Sequence, residues 1–198
     1  MTDIIAHHLV ISAYGFWLPN DPRGSWSSFV GSPALYAIGP ATKTDERRSL
    51  AAEPHNRERR MAAKLALQYP PVRFATEQIQ AVASGFGDYV RTSGLVVRAC
   101  SVMPDHAHLV IDEFRLQMEY IANMLKGAAT KALNRAGVHP FARYATSGQR
   151  VPKCWAEGQW DRWIRDEADL RACIVYVEEN PIKAGIPPQR WPFVTPLL

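Results

Sequence analysis

Two histidines, His106 and His108, stand one residue apart in the stretch VMPDHAHLVI, and further along Tyr176 and Asn180 stand four apart. Side chains alternate across a strand, so the two histidines project from one face with Ala107 on the other. Two imidazoles side by side make half of a metal site. An HxH spacing also arises by chance, and a pair of partly buried histidines bonded to backbone or carboxylates is the plain alternative. Support has to come from elsewhere in the chain.

On a helix, counting about 100° per residue, Leu170, Cys173, Ile174 and Val177 gather into one stripe, the face expected to pack on a sheet. Tyr176 falls about 110° from the centre of that stripe and Asn180 about 70°, on the same flank and one turn apart. A phenol and an amide therefore point together at one spot beside the sheet edge. Taken singly, Tyr176 also reads as an aromatic at the core boundary and Asn180 as a helix-ending residue. A zinc site of His106, His108 and Cys173 is a competing arrangement, since Cys173 lies within about 20° of Asn180. Cys173 also belongs to the core stripe, which argues against it.

The elements that must hold these residues follow from periodicity and turn chemistry. IIAHHLVIS reads as a first strand, and the Gly, Pro and Ser-bearing stretch from Ser25 to Thr44 as a loop or insertion. From Asp45 to Leu67 the charged cluster DERRSLAAEPHNRERR and then MAAKLAL predict a partly helical segment, ended by Pro70 and Pro71. Thr76 is a candidate N-cap for a helix with Ile79, Val82, Ala83, Phe86 and Val90 on one face, closed by Gly94. LVVRACSVM and HAHLVI pair as a hairpin through a turn at Pro104 and Asp105. A helix from about Gln117 to Arg135 buries Met118, Ile121, Ala122, Leu125, Ala129 and Leu133. QWDRWIR predicts a strand, and a last helix starts at the N-cap Asp166 and stops at Asn180, because Pro181 disfavours helix at the residue before it. Strand, helix, hairpin, helix, strand, helix suits an α+β fold of ferredoxin-like type, a single antiparallel sheet with helices packed on it.

The chain of 198 residues with 47% hydrophobic content is expected to form one domain, 1–198, with an insertion or variable segment at about 27–67. Its net charge of +4 is mildly basic, which permits a nucleic-acid partner without requiring one. Cys100, Cys154 and Cys173 have neither a CxxC spacing nor an even count, which disfavours a disulfide framework. No apolar run approaches the roughly 20 residues of a membrane span, and MTDIIAHHLV lacks a signal-peptide layout. The expected location is the cytoplasm.

VMPDHAHLVI followed by YVEENPIKAGI closely resembles the HUH tyrosine transposases of the insertion-sequence and REP-associated type, named for His, hydrophobic residue, His. HLVISAYGFWLPNDPRGSW, MLKGAATKALN, WDRWIRDEADL and RWPF fit the same family, so the resemblance spans nearly the whole chain outside about 27–67. It implies an HUH endonuclease core in which His106, His108 and Asn180 bind Mg²⁺ or Mn²⁺ and Tyr176 is the nucleophile. It further implies nicking and strand transfer on hairpin-containing single-stranded DNA through a 5′-phosphotyrosine. Many relatives carry Asn where this chain has Asp105, and a hydrophobic or aromatic residue at Glu178 and Glu179. Neither departure removes a ligand or the nucleophile. The C-terminal KAGIPPQRWPFVTPLL is more similar to REP-associated relatives, which act as monomers, than to insertion-sequence relatives, often dimers that share the helix. Monomer and homodimer both stay open.

That chemistry suits these residue types. Charge that develops on phosphate oxygens during in-line attack is stabilised by a hard divalent ion, and neutral imidazoles do not quench its Lewis acidity. A phenol, with an ordinary pKa near about 10, is a poor nucleophile at neutral pH and benefits from a nearby cation. For phosphate contact, Lys126, Lys131 and Arg135 on the second long helix, and Arg162, Arg165 and Lys183 around the last one, are the candidates. Trp17, Trp155, Trp160 and Trp163 are candidates for stacking on unpaired bases. A hairpin-binding or regulatory protein without cleavage, on the same scaffold, is the non-enzymatic alternative.

Overall fold

The computed structural model describes residues 4–45, 53–146 and 150–197. They fall into two compact units, one of residues 13–72 and one built from the chain on either side of that stretch.

The larger unit contains β1 (Ala6–Ser12), α3 (Thr76–Ser93), β2 (Val97–Val102), β3 (His106–Asp112), α4 (Met118–Arg135), β4 (Trp160–Ile164) and α5 (Glu167–Lys183). Its strands form one antiparallel sheet in the order β2-β3-β1-β4, the expected α+β architecture. The expected hairpin is present: Met103 N–H donates to the carbonyl of His106 at 2.7 Å across the Pro104–Asp105 turn. One face of the sheet carries Ala6, Ala99, Val110 and Ile164, which pack with Leu170, Cys173 and Val177 of α5. The pleat sends Leu9, Ile11, Leu109 and Ile111 to the opposite side, all fully buried. Helices α3 and α4 pack closely on one another and against β2 and β1.

Two helix ends differ from expectation. The N-cap of α3 is Ala75 rather than Thr76; the Ala75 N–H donates to Oε1 of Gln78 at 2.8 Å, so the glutamine three residues on satisfies the end instead of a hydroxyl. Helix α5 does not stop at Asn180 but runs through Pro181 to Lys183. A proline there forgoes one backbone bond, and the turn is closed around it by Ala184 N–H on the carbonyl of Asn180 at 3.1 Å and Ile186 N–H on that of Pro181 at 2.8 Å. The start of α5 is as expected, with Asp166 Oδ1 accepting from Asp169 N–H at 2.8 Å.

The outer edge of β2 is covered by the C-terminal segment. Gln189 bonds the backbone of Val102 twice, accepting from its N–H and donating to its carbonyl, each at 2.8 Å. Val194 then bridges Val97 in parallel.

The smaller unit holds α1 (Pro33–Tyr36) and α2 (Arg57–Leu65) around Leu18, Leu35 and Ala63. The single turn of α1 corrects the expectation of irregular chain over Ser25–Thr44. Ser32 caps it and Pro33 opens it with its φ already set for helix. Within Asp45–Leu67, α2 supplies the expected helix, with Asn56 Oδ1 accepting from Arg59 N–H at 2.9 Å; residues 46–52 of the charged cluster lie outside the described residues. No helix among the described residues is long and apolar enough to cross a membrane.

Helices α3 and α4 approach closely at Gly85, where an added Cβ would stand 2.6 Å from the carbonyl oxygen of Ala128 and 2.6 Å from Cα of Ala129. Both atoms are backbone and yield only if the helices part. Gly85→Ala is therefore expected to destabilise the fold by about 1–3 kcal/mol despite the better helix propensity of alanine, measured by chemical denaturation. An unchanged midpoint would refute the close packing.

Candidate active site

In the register of β1 against β3, Ser12 pairs His106 and Val10 pairs His108, so both histidines share a face with His8 on the neighbouring strand. That is the face α5 covers. Val177 has no exposed surface, and this places its neighbour Tyr176 at the margin of the contact, 41% exposed, with its ring edge-on to His108 at 5.7 Å and to His8 at 5.8 Å. The two expected histidines and the tyrosine come together, within one chain. Asn180 follows one turn along α5; its amide nitrogen is buried and has no hydrogen-bond partner, so the fold itself does not use this group.

His106 Nε2 and His108 Nε2 face each other at 2.9 Å. Two cis ligands of an octahedral ion at about 2.1 Å stand about 3.0 Å apart, whereas a tetrahedral zinc at about 2.05 Å sets them about 3.3 Å apart. The outer nitrogen of His106, Nδ1, lies 2.7 Å from Asp105 Oδ1, the usual way a carboxylate orients a ligating imidazole. Among the described residues no group of three or more His, Cys, Asp or Glu side chains is arranged to hold a metal. The zinc arrangement through Cys173 is not met: Cys173 is buried in the core cluster with Ala6, Ile164 and Val177, and burial raises its thiol pKa.

Burial decides the charge of the cluster. It pushes the His8 imidazole down to about 4, helped by the positive charge of Arg162. It also holds His108 well below its ordinary value, with His106 and His8 adding to the effect. Both rings are neutral at neutral pH. His7, one residue away but on the opposite face, behaves in the other sense: burial alone would lower it, yet Asp161 and Glu113, bonded at 2.9 and 2.7 Å, raise it.

The chain is similar to several solved structures, two of them as follows. A REP-associated tyrosine transposase bound to a REP hairpin aligns at 15% identity over 93% of this chain and 72% of its own, with a TM-score of 0.48. A Deinococcus radiodurans R1 protein provisionally named a transposase aligns at 13% identity over 90% of this chain and 92% of its own, with a TM-score of 0.46. No protein-family model and no curated protein matches. Identities this low carry no residue-by-residue correspondence.

The basic candidates divide. Lys126 is not on a solvated side of α4; it is buried, and its ammonium donates to the carbonyls of Ala156, Glu157 and Gly158, each at 2.9 Å. Its position continues the buried row of Ala122 and Ala129, and it serves as a clamp for the loop before β4. Burial pushes its pKa down to about 8. Lys131, Arg135, Arg165 and Lys183 are exposed, with Arg135 on Asp88 at 3.0 Å and Lys183 on Glu179 at 2.8 Å. Arg162 is partly buried and ties β4 to α5 through Asp169 at 2.7 Å. Of the tryptophans, Trp155 is in the core, Trp17 donates to the carbonyl of Gly24 and Trp160 stands edge-on to His8. Trp163 is 48% exposed with the Arg165 guanidinium over its ring.

The residues missed from sequence are His8 and Asp105 in their roles beside the pair. The HHL doublet in β1 was the available signal, since the pleat must send one of its two rings to the sheet face that carries the HxH pair whenever β1 lies next to β3.

The folded pKa of His8 lies below its ordinary 6.5, so the stability tied to its neutral state is fully present above about 6.5 and is lost as the pH falls through about 4. The melting temperature of the wild type should fall over that interval more steeply than that of His8→Gln, which takes up no proton there. For His7 the sign reverses, its contribution being present below about 6.5 and lost as pH rises through its raised value. NMR pH titration of the ring resonances should find His7 above and His8 below the ordinary midpoint; the opposite order would refute the assignment.

Proposed function

We propose that this chain nicks and rejoins single-stranded DNA bearing a hairpin, as a transposase does, with Tyr176 as nucleophile and His106, His108 and Asn180 holding Mg²⁺ or Mn²⁺. The reading is carried by one observation, the Tyr176 ring edge-on to His108 at 5.7 Å, where the two Nε2 atoms converge to 2.9 Å. The motif resemblance supports it independently, and it supplies the hairpin.

The Tyr176 hydroxyl oxygen forms a bond to phosphorus while the bond from phosphorus to the 3′ oxygen breaks. The phenolic proton leaves to solvent, and the departing 3′ oxygen takes one up. The product is a 5′-phosphotyrosine and a free 3′-hydroxyl. The ester keeps the energy of the broken bond, so attack by another strand's 3′-hydroxyl reverses the step and releases Tyr176 without ATP. When bound, the ion supplies Lewis-acid stabilisation of the charge on the phosphate oxygens. His108, held neutral by its burial, leaves that charge undiminished, and the packing of α5 keeps water from its buried side. Exposed Lys131, Arg135, Arg165 and Lys183, together with the partly buried Arg162, supply phosphate contacts, and Trp163 a stacking surface. Lys126 is spoken for by its three carbonyls. That Tyr176 lies beside His108 and His8 of its own chain is compatible with action by a monomer.

Incubation with labelled hairpin-bearing single strands and Mg²⁺ or Mn²⁺ should give an SDS-resistant protein–DNA adduct. Tyr176→Phe, which removes one oxygen, His106→Ala and a chelator should each reduce it to background. Cleavage that persists in Tyr176→Phe would overturn the tyrosine mechanism. Hairpin binding with no adduct in the wild type would leave a binding protein without catalysis.

A further inference from the structure

Each histidine of the pair has a different neighbour on its outer nitrogen. Asp105 Oδ1 stands 2.7 Å from His106 Nδ1, and His8 Nε2 stands 2.9 Å from His108 Nδ1. The His8 and His108 rings are stacked, their centroids 5.2 Å apart and their planes 25° from parallel. A carboxylate can only accept the hydrogen of His106 Nδ1, so the neutral form of His106 presents a bare Nε2. His108 is not settled in that way, because its partner is an imidazole that can donate or accept.

We propose that His8 is a positioning residue that sets the tautomer of His108: its Nε2 accepts the hydrogen of His108 Nδ1 and so leaves the lone pair of His108 Nε2 free for the divalent ion. The inference rests on the metal-binding reading given above. It requires His8 to carry its own hydrogen on Nδ1, and His8 is held for this role from two sides. Trp160 meets its ring edge at 5.2 Å and Tyr176 at 5.8 Å. At 5% exposure little water reaches the His8–His108 bond to compete for it. A neutral acceptor also fits the depth of the site. His106, with a side chain 19% exposed, is partnered by a charged group near water, while His108, at 6%, is partnered without placing a second carboxylate in the interior.

The opposite arrangement defines what would be wrong. If His8 Nε2 donated to His108 Nδ1, then His108 Nε2 would carry the hydrogen and donate to His106 Nε2, closing the pair against a cation. The two arrangements exchange which nitrogen is of pyridine type, and long-range ¹H–¹⁵N NMR of the imidazoles distinguishes them directly.

In wild-type protein loaded with diamagnetic Mg²⁺, His108 should show its hydrogen on Nδ1, and His8 should show its own on Nδ1 with Nε2 bare. Binding of Mn²⁺ followed by electron paramagnetic resonance should weaken about 10- to 100-fold in His8→Phe, which keeps a ring and loses the acceptor. His8→Gln, whose side-chain oxygen can accept, should recover most of the loss. His108 with its hydrogen on Nε2 in the loaded protein, or His8→Phe binding Mn²⁺ as tightly as wild type, would overturn the role of His8 while leaving the metal site standing. Wild type that takes up no Mn²⁺ would overturn the metal reading and this inference together. Should His8→Phe fail to fold, the wild-type spectrum and the glutamine variant decide the matter.

Discussion

Val177 is fully buried against the sheet in a cluster with Ala6, Ala99, Val110 and Ile164, and that contact fixes the rotation of α5. A helix turned by even one residue would carry Tyr176 about 100° around its axis, away from the histidines. The same cluster sets depth, because Ala6 and Ala99 are small enough to let the helix lie close to the strands. Placement of the phenol is thus a by-product of apolar packing several ångströms from the polar site. Arg162 adds a directional tie, bonding Asp169 in the first turn of the helix from the edge strand β4.

The site is also an electrostatic arrangement built by the pleat. Consecutive residues His7 and His8 leave β1 on opposite sides and meet opposite conditions. One finds two carboxylates, the other finds apolar packing and two further imidazoles. His8 and His108, buried without a carboxylate partner, stay neutral, which avoids the desolvation cost of burying ions.

Much of this was legible in the sequence because it is periodic or local. The hairpin, the stripes of α4 and α5 and the joint flank of Tyr176 and Asn180 follow from spacing alone. What escaped depends on partners distant in sequence. His8 acquires its role only because β1 inserts beside β3, a pairing across about a hundred residues that no local pattern encodes. Lys126 is a lysine by type and a core residue by position; its ammonium finds three carbonyls of a loop thirty or so residues later, which no helical wheel shows. Pro181 misled for a local reason, since the rule that helices end before proline is weaker in a last turn, where Ala184 and Ile186 still close on the carbonyls of Asn180 and Pro181. The capping of α3 by Gln78 was hidden because Ala75 carries no capping group of its own.

The clasp of Gln189 on Val102 has a bearing on how this sheet meets other chains. A primary amide has the same donor and acceptor pair as a peptide unit, so it occupies one rung of the β2 ladder as a further strand would, and then stops. With Val194 seated further along at Val97, both ends of that border are occupied, which leaves little of it to template another strand. The other edge strand, β4, carries Trp163 and Arg162 and is the border left for any lateral extension of the sheet.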